Sequence, residues 1–111
     1  MSQPIIRSAS PGSGNSVRAS AFGSTLNVYV EGRFDFNCHQ EFRRSYENAP
    51  GAFIEYVVDL KATEYIDSAA LGMLLVLRES VGAAKVRITN SRPAVRKILQ
   101  IANFDSLFAI D

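Results

Sequence analysis

Ala69 to Leu77 reads AALGMLLVL, nine residues without a hydrophilic side chain, set between Asp67-Ser68 and Arg78-Glu79. The run is far short of the roughly 20 residues a membrane span needs. Read as a helix from Asp67 or Ser68 through about Val81, it is apolar almost all round. Such a helix is sandwiched in a core or shows an apolar face to a partner. Gly82 is its expected stop, because glycine readily takes the left-handed conformation that ends helices. Gly72, inside the helix, costs about 1 kcal/mol of propensity relative to alanine. It is therefore expected to permit close packing against another backbone. Most of the run belongs in a core. Ala69, Leu71, Gly72 and Met73, near its start, are the candidates for an exposed docking patch.

The segments around this helix follow two periods. Val17, Ala19 and Ala21 alternate with Arg18, Ser20 and Phe22, Gly23-Ser24 offers a two-residue turn, and Leu26, Val28 and Val30 alternate with Asn27, Tyr29 and Glu31. That pattern predicts a β-hairpin ending at Gly32. Asn37 is the expected N-cap of a helix to about Ala49, with Phe42, Tyr46 and Ala49 on one stripe and Pro50-Gly51 as its stop. Phe53 to Leu60 (FIEYVVDL) reads as a strand buried at Val57-Val58, and Lys85 to Thr89 (KVRIT) as another. Asn90 or Ser91 leads into a helix with Pro93 in its first turn. Val95, Ile98, Leu99 and Ala102 form its inward stripe, and Arg92, Arg96 and Lys97 face water. A short terminal strand is expected at Leu107 to Ile110. The expected fold is α/β, a mixed sheet of four to five strands carrying about three helices. Residues 1–16, rich in Ser, Gly, Pro and Asn, read as a flexible tail, and 17–111 as one domain.

Composition narrows the function. Lys plus Arg is 12 and Asp plus Glu 11 in 111 residues, a net charge of +1, which lacks the basic footprint of a nucleic-acid binder or a polybasic membrane anchor. A single cysteine, Cys38, excludes an internal disulfide and a Cys-rich zinc site, and a single histidine, His39, leaves little for any transition metal. No metal and no cofactor is expected. Met1 to Arg7 shows no apolar h-region after a basic start. The expectation is a cytoplasmic domain without membrane insertion.

The densest polar cluster amid apolar sequence is Tyr65-Ile66-Asp67-Ser68, between a buried strand and the apolar helix. A helix N-terminus favours an anion through its free N–H groups and dipole. A phosphate added to Ser68 would bring a charge of about −1.5 to −2 that those groups can hold without unfolding the helix. The plainer alternative is that Asp67-Ser68 is only a cap. Asp35, in Gly32-Arg33-Phe34-Asp35, is a second acidic candidate, or else a turn carboxylate. Thr63 is a lesser phosphoacceptor candidate. Ser68, His39 and an Asp are the ingredients of a hydrolytic triad, but the Gly-x-Ser-x-Gly elbow is missing around Ser68. Cys38 and His39, neighbours on a helix, point about 100° apart and make a poor dyad; Cys38 reads as a small buried hydrophobe. No catalytic residue is assigned.

The stretch VVDLKATEYIDSAALGMLLVL resembles the signature of STAS-domain anti-sigma factor antagonists: a strand ending Asp59-Leu60, then Asp67-Ser68, Ala69-Ala70 and Leu71-Gly72. Upstream, Val30 to Phe36 (VEGRFDF) resembles the family's Gly-x-Leu-Asp turn, with Phe34 in place of Leu. Downstream, SRPAVRKILQIANFDSLFAI resembles the closing helix and its exit, with Asn103-Phe104 where Gly-Leu is commoner. A further C-terminal helix usual in the family has no counterpart before Asp111. The resemblance implies a small α/β domain and a non-enzymatic regulator. Its phosphorylated residue would be Ser68, with Asp67 and Asp35 beside it. The unphosphorylated form would bind an anti-sigma factor, often a serine kinase of the histidine-kinase-like ATPase fold, and so free a sigma factor. Phosphorylation would end the interaction, and a metal-dependent serine phosphatase would restore it. STAS domains also serve as non-switching docking subunits of signalling or lipid-transport assemblies, which is the alternative role.

Overall fold

Residues 17–30 alternate as a hairpin should, and the strands they build are longer than the alternation alone. In the computed structural model, which describes residues 5–10 (as backbone), 15–49 and 52–111, β2 spans Asn15–Phe22 and β3 spans Thr25–Phe34. They pair antiparallel from Asn15 opposite Gly32 to Phe22 opposite Thr25, with Gly23-Ser24 as the turn. Gly23 has φ +62, the left-handed region such hairpin turns require. Ile5–Ser10 forms β1, antiparallel to β2, so this part of the expected tail is a strand of the sheet. Residues 1–4 and 11–14 of that tail lie outside the described residues.

Gly32 does not end the hairpin. It sits at φ +83 and carries a register shift, after which Arg33 and Phe34 continue β3. Along one edge of β3 the chain pairs twice, in parallel. β4 (Glu55–Asp59) lies beside Thr25 to Tyr29, and β5 (Thr63–Ile66) beside Gly32 to Phe34. β6 (Lys85–Thr89) pairs parallel to β4, and β7 (Ala109–Ile110) parallel to β6. The mixed sheet is as expected, and β1 and β5 bring it to seven strands, with β5 off the path β1-β2-β3-β4-β6-β7.

Among the described residues the helices are α1 (His39–Glu47), α2 (Ser68–Ser80) and α3 (Pro93–Ile101). A 3-10 turn, Phe36–Cys38, leads into α1, and another, Phe104–Ser106, precedes β7. The expected stop of α1 at Pro50-Gly51 lies outside the described residues. Asn37 is not its N-cap: Asn37 lies inside the 3-10 turn, where its N–H donates to the capping Asp35 carboxylate at 3.0 Å, and α1 itself starts from Cys38 without a side-chain cap. Gly82, at φ +61, ends α2 as expected, and Pro93 opens α3. Val28, Val30, Val58, Leu60, Ile88, Phe42, Ala70, Leu74, Leu77 and Leu99 belong to one core with Cys38. Ala102 is exposed at the C-cap of α3 and is not part of the inward stripe. The sheet's opposite face is polar, with Arg18 4.6 Å above the Tyr29 ring and Arg87 bridging Glu55 and Asp111.

Candidate functional site

β3 and β5 run parallel and end together, with Phe34 beside Ile66. Each is followed by an aspartate and then a helical segment. The Asp67 N–H donates to the Phe34 carbonyl at 3.4 Å, which ties the two exits together. Asp35 and Asp67 therefore stand at one end of the molecule, each capping the segment it precedes.

Asp35 is 7% exposed and fully engaged. Its Oδ1 accepts from the Asn37 N–H and from the Asn15 side-chain amide at 3.4 Å, and its Oδ2 lies 3.4 Å from Arg33 Nε. Arg33 also lies 5.5 Å from the centre of the Tyr65 ring. These partners offset the cost of burying so polar a side chain. Asp67 caps α2: its Oδ1 accepts from the Ala70 N–H at 2.9 Å, while the Leu71 N–H closes the first turn on the Asp67 carbonyl at 3.2 Å. An α-helix leaves its first N–H groups without intrahelical partners, so those of Ser68 and Ala69 remain at the helix end. Ser68 is the first residue of α2 and is exposed, and among the described residues no hydrogen bond reaches its hydroxyl.

The other polar candidates separate from this cluster. Thr63 is 0% exposed, and its hydroxyl donates to the Val30 carbonyl at 2.7 Å, so a kinase cannot reach it in the folded protein. Cys38 is buried as expected; its thiol donates to the Asp35 carbonyl at 3.1 Å, and burial pushes its pKa up to about 11. His39 stacks on Phe36, ring centres 5.5 Å apart, and among the described residues no hydrogen bond joins it to Ser68, Asp35 or Asp67. Nor do three His, Cys, Asp or Glu side chains converge among those residues as metal ligands would. The described helices include none long and apolar enough to cross a membrane.

Because β3 and β5 end side by side, α1 and α2 start from the same end. Between them runs an apolar cleft of about 390 Å³. Phe36, Arg43 and Tyr46 line one wall, and Ala69, Gly72, Met73 and Val76 the other. Of the candidate docking residues, Ala69, Gly72 and Met73 reach this cleft, while Leu71 packs half-buried against the core. Gly72 contradicts its expected role. It is exposed, and a Cβ built on it meets nothing within 4 Å, so no backbone packs there. Its bareness widens the cleft instead. Phe36 (68% exposed) and Val76 (49%) were not singled out from the sequence. The signal for Phe36 was an aromatic directly after a capping aspartate, with His39, Phe42 and Tyr46 at helical spacing behind it.

Comparison with known proteins places this arrangement. The chain is 50% identical over 93 residues to the STAS-domain containing protein PA14_20770 of Pseudomonas aeruginosa (strain UCBPP-PA14), covering 82% of this chain and 92% of that one. Its fold is similar to that of an anti-sigma factor antagonist from Mycobacterium paratuberculosis (21% identity, TM-score 0.75, 93% of this chain and 89% of the other). It is also similar to the Bacillus cell fate determinant SpoIIAA in its phosphorylated form (17% identity, TM-score 0.67, 86% and 90%). A family profile described as the STAS domain matches residues 16–111, from β2 to the last residue, and the chain belongs to that family.

Proposed function

We propose that this protein is an anti-sigma factor antagonist controlled at Ser68. Its unphosphorylated form binds an anti-sigma factor that is also a serine kinase, and so frees the bound sigma factor in the cytoplasm. Phosphorylation of Ser68 ends that binding, and a metal-dependent serine phosphatase restores it. The protein is a substrate and a ligand here, not a catalyst. One observation carries the reading: Ser68 is exposed at the first turn of α2, between the Asp67 cap and an apolar cleft. Two relatives of the fold support it, one an anti-sigma factor antagonist and one known in a phosphorylated form.

The physical basis is local charge. A phosphate on Ser68 meets free N–H groups at the helix start, so the fold tolerates it. A docked partner does not, because the added charge of about −1.5 to −2 joins Asp67 and Asp35 in a contact that excludes water. An unpaired charge buried at an interface costs several kcal/mol, and about 1.4 kcal/mol is already tenfold in affinity.

Binding of purified kinase to Ser68→Ala, Ser68→Asp and enzymatically phosphorylated protein tests this. Ser68→Ala should bind like the unmodified protein, and the other two at least about tenfold more weakly. Equal affinity of all three would contradict the switch. It would favour a non-switching docking subunit, a role for which the apolar cleft, formed without Ser68 itself, is the specific support.

A further inference from the structure

We infer that the cleft between α1 and α2 is the seat of a partner helix that is apolar on one side and acidic at its edge. The inference deepens the proposed switch and rests on it for the partner's identity.

The shape fits a helix. Both walls are helical, and their lining residues recur every three to four positions: Phe36, His39, Arg43 and Tyr46 on one side, Ala69, Gly72 and Val76 on the other. A groove between two helices, lined at that spacing, accepts the apolar face of a third. The residues around it are exposed where an unpartnered surface has no reason to be. Phe36 is 68% exposed and Val76 49%. Gly72 is left bare at the middle of the α2 wall, with room around its Cα, at a helix-propensity cost that nothing in this chain's own packing requires.

The charge fits an acidic edge. Among the described residues, Arg43 is the only Arg, Lys, Asp or Glu in the lining. Its Nε is bonded to Glu47 at 2.9 Å, and a guanidinium with one nitrogen so engaged keeps donors for a second carboxylate. The same polarity couples the cleft to Ser68. Ala69, the next residue, lines the cleft, so a phosphate on Ser68 stands at its mouth and repels an acidic occupant.

The test uses the full-length protein and the kinase that phosphorylates it. Gly72→Leu fills the cleft from a site with open space around it and should keep the native fold, checked by its melting temperature. It should weaken binding at least about 30-fold, the loss typical of blocking a central contact. Arg43→Glu should weaken it about tenfold or more by reversing the rim charge. Benzoylphenylalanine in place of Val76 should photocrosslink to a helix of the kinase with apolar residues three and four apart and a flanking Asp or Glu. The same probe in place of Arg18, on the opposite sheet face, should not. Binding of Gly72→Leu within twofold of wild type overturns the inference. So does a crosslink from position 76 to a second copy of this chain, to a non-helical segment, or to nothing while the kinase is bound. If Ser68→Asp loses binding and Gly72→Leu keeps it, the cleft fails and the switch stands. If Gly72→Leu loses binding and both Ser68 variants keep it, the cleft stands and the switch fails.

Discussion

Two glycines, one inside α2 and one just past its end, should respond in opposite directions to the same substitution. Gly72 lies in the body of α2, and Gly82 just beyond its end; neither has an atom within 4 Å of where a Cβ would sit. Packing is therefore equal at both, and the backbone decides. Gly72 has no left-handed φ, so Gly72→Ala recovers helix propensity and should stabilise the protein by about 1 kcal/mol. Gly82 is held at φ +61, where an L side chain costs about 1–2 kcal/mol. The lower unfolded-state entropy of alanine offsets about 0.4–1 kcal/mol of that, so Gly82→Ala should destabilise by up to about 1 kcal/mol. For a domain of this size, 1 kcal/mol moves the melting temperature by roughly 4 °C. Thermal unfolding followed by circular dichroism should thus show Gly72→Ala melting about 4 °C higher and Gly82→Ala a few degrees lower. A lowered melting temperature for Gly72→Ala would refute the argument. It would mean that a backbone or side chain packs against Gly72 after all, and would remove the cleft with it.

Other consequences follow from the same contacts. Asp67→Ala removes the carboxylate that accepts from Ala70 N–H and should cost about 1 kcal/mol in urea unfolding, where Asp67→Asn costs little. Thr63→Val takes the donor from the buried Val30 carbonyl and should cost about 1–3 kcal/mol, while kinase-catalysed phosphate incorporation stays at the wild-type level. The Cys38 thiol is raised by burial, against the weaker lowering by its bond to the Asp35 carbonyl, to about 11 from a reference of 9.0. Its folded pKa is above its unfolded one, so the neutral thiol's stabilising share is complete below pH about 9 and is lost as pH rises towards about 11. The stability difference between wild type and Cys38→Ala should accordingly shrink across that window, and a flat difference would contradict the burial argument. In native protein near pH 8, Cys38 should resist a thiol reagent that labels it at once in urea.

What the chain disclosed in advance was local. Asp67 as a cap, Gly82 as a stop and Gly23-Ser24 as a turn each depend on a few neighbouring residues, and each stands where expected. β5 does not. Thr63–Ile66 is four residues with exposed Glu64 and Tyr65 in the middle, and it is a strand only because β3 runs on past Gly32 to pair with it. The same extension explains the cap of the first helical segment. Once β3 reaches Phe34, Asp35 rather than Asn37 is the first residue out of the sheet, and its carboxylate takes the Asn37 N–H. Ile5–Ser10, with three polar side chains in six residues, becomes a strand through backbone pairing to β2, which no apolar pattern announces. The cleft was hidden for the same reason. Phe36 and Val76 are 40 positions apart in the numbering, and only the parallel ends of β3 and β5 bring their helices together.

The central claim is that Ser68 carries the switch, and the intact mass of the protein from its own cells tests it most directly, measured beside Ser68→Ala with bound proteins identified. The account predicts a second species one phosphoryl group heavier, absent from Ser68→Ala, with the kinase retained only by the lighter form. A single unmodified species that holds the same partner in both versions would contradict it.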